Sequence, residues 1–198
     1  MKDSNRDQMV QTGNHALDTI LEGGLTSGRV YLIEGDPGTG KTTLALQFLL
    51  EGARKGETGL YVTLSETKEE LEAVAASHGW SMKDLDVYEL VDAKDLVDSN
   101  ESQYSMFEPS EVELSKTIRG VLEHVERSKP MRVAFDSLSE MRLLAQSPLR
   151  YRRQILALKH FFTGRSCTVL MLDDNTAHDA DQQLQSIAHG VIRLEHMM

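Results

Sequence analysis

The chain has 198 residues, with 31 Asp and Glu against 21 Lys and Arg, and a net charge of −10 at neutral pH. That length suits one domain spanning 1–198 with a well-buried sheet and leaves little room for a second. The negative balance argues against a broad electrostatic footprint for nucleic acid or an anionic membrane. The lone cysteine, Cys167, excludes a disulfide within the chain and suits a reducing cytoplasm. Residues 1–7 are too polar for a secretion signal, and no apolar run approaches membrane-spanning length.

Residues 1–28 lead up to the first strand. Gly13, Leu17, Ile20 and Leu21 precede a turn at Gly23-Gly24-Leu25, and a short helix packed on the sheet edge is expected there. Val30-Tyr31-Leu32-Ile33 predicts a buried strand, and the apolar run from Leu44 to Leu50 predicts a helix over 42–51. Between them, Gly35-Asp36-Pro37-Gly38-Thr39-Gly40-Lys41-Thr42 fits the phosphate-binding pattern G-x-x-x-x-G-K-[ST] at every position. Glycines and proline allow a tight loop whose backbone N–H groups converge on phosphate oxygens. Lys41 adds a point charge, and the following helix presents its positive dipole end to the same anion. Thr42 offers a hydroxyl to a magnesium ion bridging the outer phosphates. The rival dinucleotide fingerprint G-x-G-x-x-G fails, because Gly38-Thr39-Gly40-Lys41-Thr42-Thr43 ends in threonine.

Residues 59–64 predict a second strand ending at Ser65-Glu66. Thr67-Lys68-Glu69-Glu70 is a capping box, so a helix starts near Lys68, carries Leu71, Val74, Ala75 and His78 inward, and stops at Gly79. A strand over 87–91 is followed by a long polar loop over 92–109. A second capping box at 110–113 opens a helix with Leu114, Ile118, Val121, Leu122 and Val125 at helical spacing, closed by Pro130. Residues 131–136 form a strand ending on Asp136. A helix over 149–163 turns Ile155, Leu156, Leu158 and Phe162 inward, and strands at 167–172 and 191–194 finish the chain, with a short polar crossover between them.

Strands alternating with helices indicate an α/β fold, a mostly parallel sheet with helices on both faces. Ligands of such sheets collect at the carboxyl ends of the strands. That rule selects the loop after Glu34, Glu66 and Asp136. Asp136, fixed at a strand end, is placed to hold the magnesium ion beside Thr42. Glu66 is placed to orient a water for attack on the terminal phosphate, with support of the next helix's first turn as its competing role. The acidic group Asp173, Asp174, Asp179 and Asp181 reads as a solvated crossover loop, and Arg150, Arg152 and Arg153 as a solvated helix face. The seven histidines show no metal-ligand spacing and read as surface or filler residues.

Together with the phosphate loop, Tyr61-Val62-Thr63-Leu64-Ser65-Glu66-Thr67, Ser77-His78-Gly79-Trp80 and Phe135-Asp136-Ser137-Leu138-Ser139-Glu140 resemble the KaiC-like ATPases of the RecA superfamily, from about residue 12 to 195. The resemblance implies a RecA-type P-loop core that binds ATP or ADP with Mg2+, and homo-oligomers that are hexameric rings in relatives. It places Gly35, Asp36, Pro37, Gly38, Thr39, Gly40, Lys41, Thr42 and Thr43 around the phosphates and Ser77 near the base. Relatives carry two adjacent glutamates after the second strand. Ser65 and Glu66 match them, so one acid is kept. Relatives also continue past the strand matching 191–194 into a hairpin that reaches the neighbour's nucleotide; this sequence stops at Met198 without it. The pair that some relatives autophosphorylate falls on Gln185 and Ser186, which does not imply autokinase activity. The expectation is a cytoplasmic, slow ATPase coupled to self-assembly or to a protein signalling partner. A nucleotide-gated interaction module without appreciable turnover is the alternative, and a DNA-acting recombinase or helicase fits the charge less well.

Overall fold

The computed structural model describes residues 9–90, 109–174 and 185–196. An antiparallel ribbon of β1 (Met9–Val10) and β2 (Leu25–Thr26) brackets the short helix α1 (His15–Ile20). Asn14 caps that helix by accepting the Leu17 N–H at 3.1 Å. The ribbon leads into β3 (Val30–Gly35), then α2 (Lys41–Arg54), β4 (Gly59–Thr63), α3 (Lys68–Ser77) and β5 (Leu85–Glu89). The second half runs α4 (Pro109–Ser128), β6 (Arg132–Asp136), α5 (Leu138–Ala145), α6 (Pro148–Phe162), β7 (Thr168–Asp174) and β8 (Gly190–Leu194).

Six strands form one parallel sheet in the order β5-β4-β6-β7-β3-β8. The inner strands are apolar on both faces because helices cover both. Alternation along each strand sorts the side chains. Leu32, Val62, Phe135 and Met171 pack under α4, α5 and α6. Ile33, Tyr61, Ala134 and Leu172 pack under α2 and α3. Cys167 is buried at the foot of β7, where desolvation pushes its thiol up to about 12.

The expected elements form, with local shifts. The Thr67 box closes in both directions: Thr67 Oγ1 accepts from the Glu70 N–H at 3.3 Å and Glu70 Oε2 accepts from the Thr67 N–H at 2.8 Å. Leu71 and Ala75 are buried, but His78 is exposed: it is the residue that ends the helix, and its ring stacks on Trp80 at 4.6 Å. β5 begins two residues before the expected start at 87, at the edge of the sheet, where Val87 and Tyr88 are only half-buried. Leu156 is half-buried while Ile155, Leu158 and Phe162 are fully inside. Helix α5 was not expected. The 92–108 stretch, Asp179, Asp181 and the side chains of 110–113 and Leu114 lie outside the described residues.

At the foot of the sheet Arg132 is 1% exposed. Its guanidinium pairs with Glu57 and donates to Gln11 O and Phe48 O at 2.7 Å each. One side chain thereby ties β6 to the C-terminal half of α2 and to the segment after β1. No helix among the described residues is long and apolar enough to cross a membrane.

Candidate functional site

The loop between β3 and α2 forms the floor of the site. Gly40 caps α2 at φ +93°, a left-handed backbone that glycine adopts without strain. A Cβ on Gly38 or Gly40 would meet nothing within 4 Å, so the space above the loop is open. Gly35 is the opposite case: a Cβ there would lie 2.5 Å from Thr39 Oγ1 and 2.7 Å from Leu194 O. Thr39 closes the turn by donating its hydroxyl to Asp36 O at 2.8 Å. Lys41 opens α2 and is buried. Its ammonium donates to Gly35 O at 2.8 Å and Asp36 O at 3.0 Å, and pairs with Asp174 Oδ1 at 2.8 Å.

Asp136 ends β6 on the α2 side of the sheet. Thr42 donates to its Oδ2 at 3.2 Å, and Tyr61, from β4, donates to the same oxygen at 2.6 Å. Burial raises the Asp136 carboxyl above its ordinary range, the Tyr61 and Thr42 hydrogen bonds oppose that rise, and the Asp174 charge adds to it. Burial, then the Asp136 charge, holds the Tyr61 phenol well above its usual value, so it stays a donor.

Glu66 is half-buried just past β4, where its N–H donates to Thr63 Oγ1 at 2.9 Å and its carbonyl accepts the Thr63 hydroxyl at 2.8 Å. Desolvation raises its carboxyl, and the charges of Asp136 and Glu70 raise it further. Its Oε2 is buried with no hydrogen-bond partner among the described residues.

The structure corrects the reading of Asp173-Asp174 as part of a solvated loop. Both belong to β7, and successive strand residues point to opposite faces. Asp173 is 2% exposed and pairs with Arg142 of α5 at 2.6 Å. Asp174 turns to the other face, takes the Lys41 ammonium, and accepts the Ser139 hydroxyl at 3.0 Å. An apolar run ending on a carboxylate, the signal that selected Asp136, is present again at Leu172-Asp173-Asp174 and would have found this residue. Tyr61 carried no such signal, since its partner lies on a neighbouring strand.

Ser77 is not brought to this cluster. It is the last of ten residues in α3, exposed, with its hydroxyl on Val74 O at 2.7 Å. Gln185 donates to both oxygens of buried Glu34, at 3.2 and 3.1 Å, and Arg193 to one of them at 3.1 Å. Arg150 and Arg152 are half-buried and Arg153 exposed on α6.

Thr42 and Asp136 are hard oxygen donors of the kind Mg2+ takes in ones and twos, leaving further positions to phosphate and water. Among the described residues no group of three or more His, Cys, Asp and Glu could hold a metal by itself. The unpartnered Glu66 Oε2 belongs to a carboxyl close enough to Asp136 and Tyr61 for the charges to act on one another. These residues fit a magnesium nucleotide.

The family model described as "ATPase: KaiC" matches residues 10–198. A UPF0273 protein of Methanopyrus kandleri is 30% identical over 198 residues, spanning 95% of this chain and 77% of that protein. A UPF0273 protein of Thermotoga maritima is 29% identical over 193 residues, spanning 94% of this chain and 79% of that one. The crystal structure of a KaiC-like protein from the archaeon Pyrococcus horikoshii is similar with a TM-score of 0.76 and 26% identity, across 96% of this chain and 83% of that chain. A parallel six-stranded sheet with a glycine loop at the end of β3, matched over nearly its whole length by this model, places the chain in the KaiC ATPase family, with the RecA-type fold.

Proposed function

We propose that the chain is a cytoplasmic, Mg2+-dependent ATPase with slow turnover, whose nucleotide state controls self-assembly or the binding of a protein partner. The observation that carries this reading is the convergence of Lys41, Thr42 and Asp136 at the carboxyl ends of the strands, beneath an open glycine loop. The amides of 35–43 and the start of α2 bind phosphate oxygens. Lys41 would exchange Asp174 for a phosphate, and Thr42 with Asp136 would hold Mg2+, which when bound would supply neutralisation of phosphate charge. Glu66 accepts the proton of a water whose oxygen attacks the terminal phosphorus as the bond to the bridging oxygen breaks and ADP leaves. Ser65, exposed at the position of a second acid in relatives, supports slow turnover.

The same residue favours a second reading, a nucleotide-gated interaction module. Titration with ATP and Mg2+, phosphate release and light scattering on the same samples decide between them. The ATPase binds ATP, releases phosphate and changes mass with nucleotide. Lys41→Ala is expected to weaken ATP at least tenfold, the range for losing a charge-assisted contact of about 1.5–3 kcal/mol. Tight ATP binding with phosphate release indifferent to Glu66→Gln selects the gated module, and a Lys41→Ala chain that binds ATP normally rejects both.

A further inference from the structure

β4 and β6 run side by side with Tyr61 opposite Ala134 and Thr63 opposite Asp136. Tyr61 and Asp136 therefore share one face as diagonal neighbours, a span that an aromatic side chain covers. The ring is fully buried among the apolar residues under α2. Phenylalanine would fill that volume equally well, and a buried phenol needs a partner that phenylalanine does not. The partner is Asp136 Oδ2, at 2.6 Å.

Thr42 donates to the same oxygen at 3.2 Å. A carboxylate oxygen has about two acceptor positions, so Oδ2 is filled by these donors and Oδ1 keeps the remaining capacity. Neither oxygen can exchange places with the other without breaking both hydrogen bonds. With its proton donated towards Asp136, the Thr42 oxygen keeps lone pairs for another partner.

We propose that Tyr61 is a positioning residue for the cation site, its hydroxyl holding Asp136 from beneath so that Oδ1, and with it Thr42 Oγ1, is presented to the ion. The inference rests on the magnesium nucleotide reading given above. Groups that orient a metal-binding carboxylate from behind are worth about tenfold to a hundredfold in metal affinity.

Tyr61→Phe removes one oxygen and keeps the ring. The probes are ATP affinity in Mg2+ and in EDTA, and Mn2+ binding to the ADP complex followed by electron paramagnetic resonance. The expected result is Mn2+ binding weaker by about tenfold, with ATP affinity in EDTA and the melting temperature of the nucleotide-free chain unchanged. In an Asp136→Asn background the same change is expected to add nothing. Equal losses in Mg2+ and EDTA, unchanged Mn2+ binding, or failure of Tyr61→Phe to fold would each overturn the proposal, by showing that the hydroxyl serves the fold and not the ion. A native chain that binds ATP no better with Mg2+ than with EDTA overturns the underlying reading as well.

Discussion

Glu66 sits between two demands. In the proton-accepting role proposed above it must be ionised, yet burial and the charges of Asp136 and Glu70 favour its protonated form. Turnover is therefore expected to rise with pH through a value above an ordinary glutamate's and to fall below it. Glu66→Gln abolishes that acid limb and lowers the rate by about 10²–10⁴, leaving ATP affinity in place. The linkage has a definite sign. A carboxyl whose folded value is raised binds its proton more tightly in the native chain, so its contribution to stability is present at low pH and lost as pH rises through the raised value. Glu66→Gln should thus raise the melting temperature of the nucleotide-free chain at pH 7.5 and lose that advantage near pH 4, which calorimetry at the two pH values checks. Lys41, Thr42 and Asp136 were legible because a local pattern or a strand end marks each one. Tyr61 became visible only once β4 and β6 were known to be neighbours, and Asp174 only once β7 was known to extend through it.

Among the elements, Arg132 is where the foot of the sheet is joined. Removing its side chain leaves Glu57 without its partner and takes a donor from the Phe48 and Gln11 carbonyls. Breaking such a buried pair costs about 3–5 kcal/mol, so Arg132→Ala is expected to shift the urea midpoint far more than a surface substitution does. The pair lies at the end of the sheet opposite the phosphate loop, so folded Arg132→Ala should still bind ATP. Elements closed by local chemistry were legible, as the reciprocal Thr67–Glu70 box shows. Those set by tertiary context were not. Helix α5 spans only eight residues and buries Leu138, Met141 and Ala145 between two longer helices, too few turns to show a period. His78 sits at helical spacing from Val74 and Ala75, but the turn at Gly79 takes it out to solvent.

For the whole molecule, the strand order bears on how the chain is made. β3, which delivers the phosphate loop, is bonded to β7 and β8 and to neither of the strands that follow it in sequence. The two strands between β3 and β4 in the sheet, β6 and β7, come from residues 132–174. Long-range parallel pairing of this kind is slow, because its loop-closure entropy is spent before the contacts form. During translation the entire loop motif leaves the ribosome while β3 has nothing to lean on. A chain ending at residue 165 therefore carries every residue proposed above to bind phosphate and is expected to bind no ATP, a result that pull-down of stalled nascent chains on immobilised nucleotide can test. On the proposed reading the same order makes ATP a late guest: nucleotide would be admitted only after the C-terminal strands have emerged, and until then β3 is a bare, sticky strand that chaperones would be the first to meet.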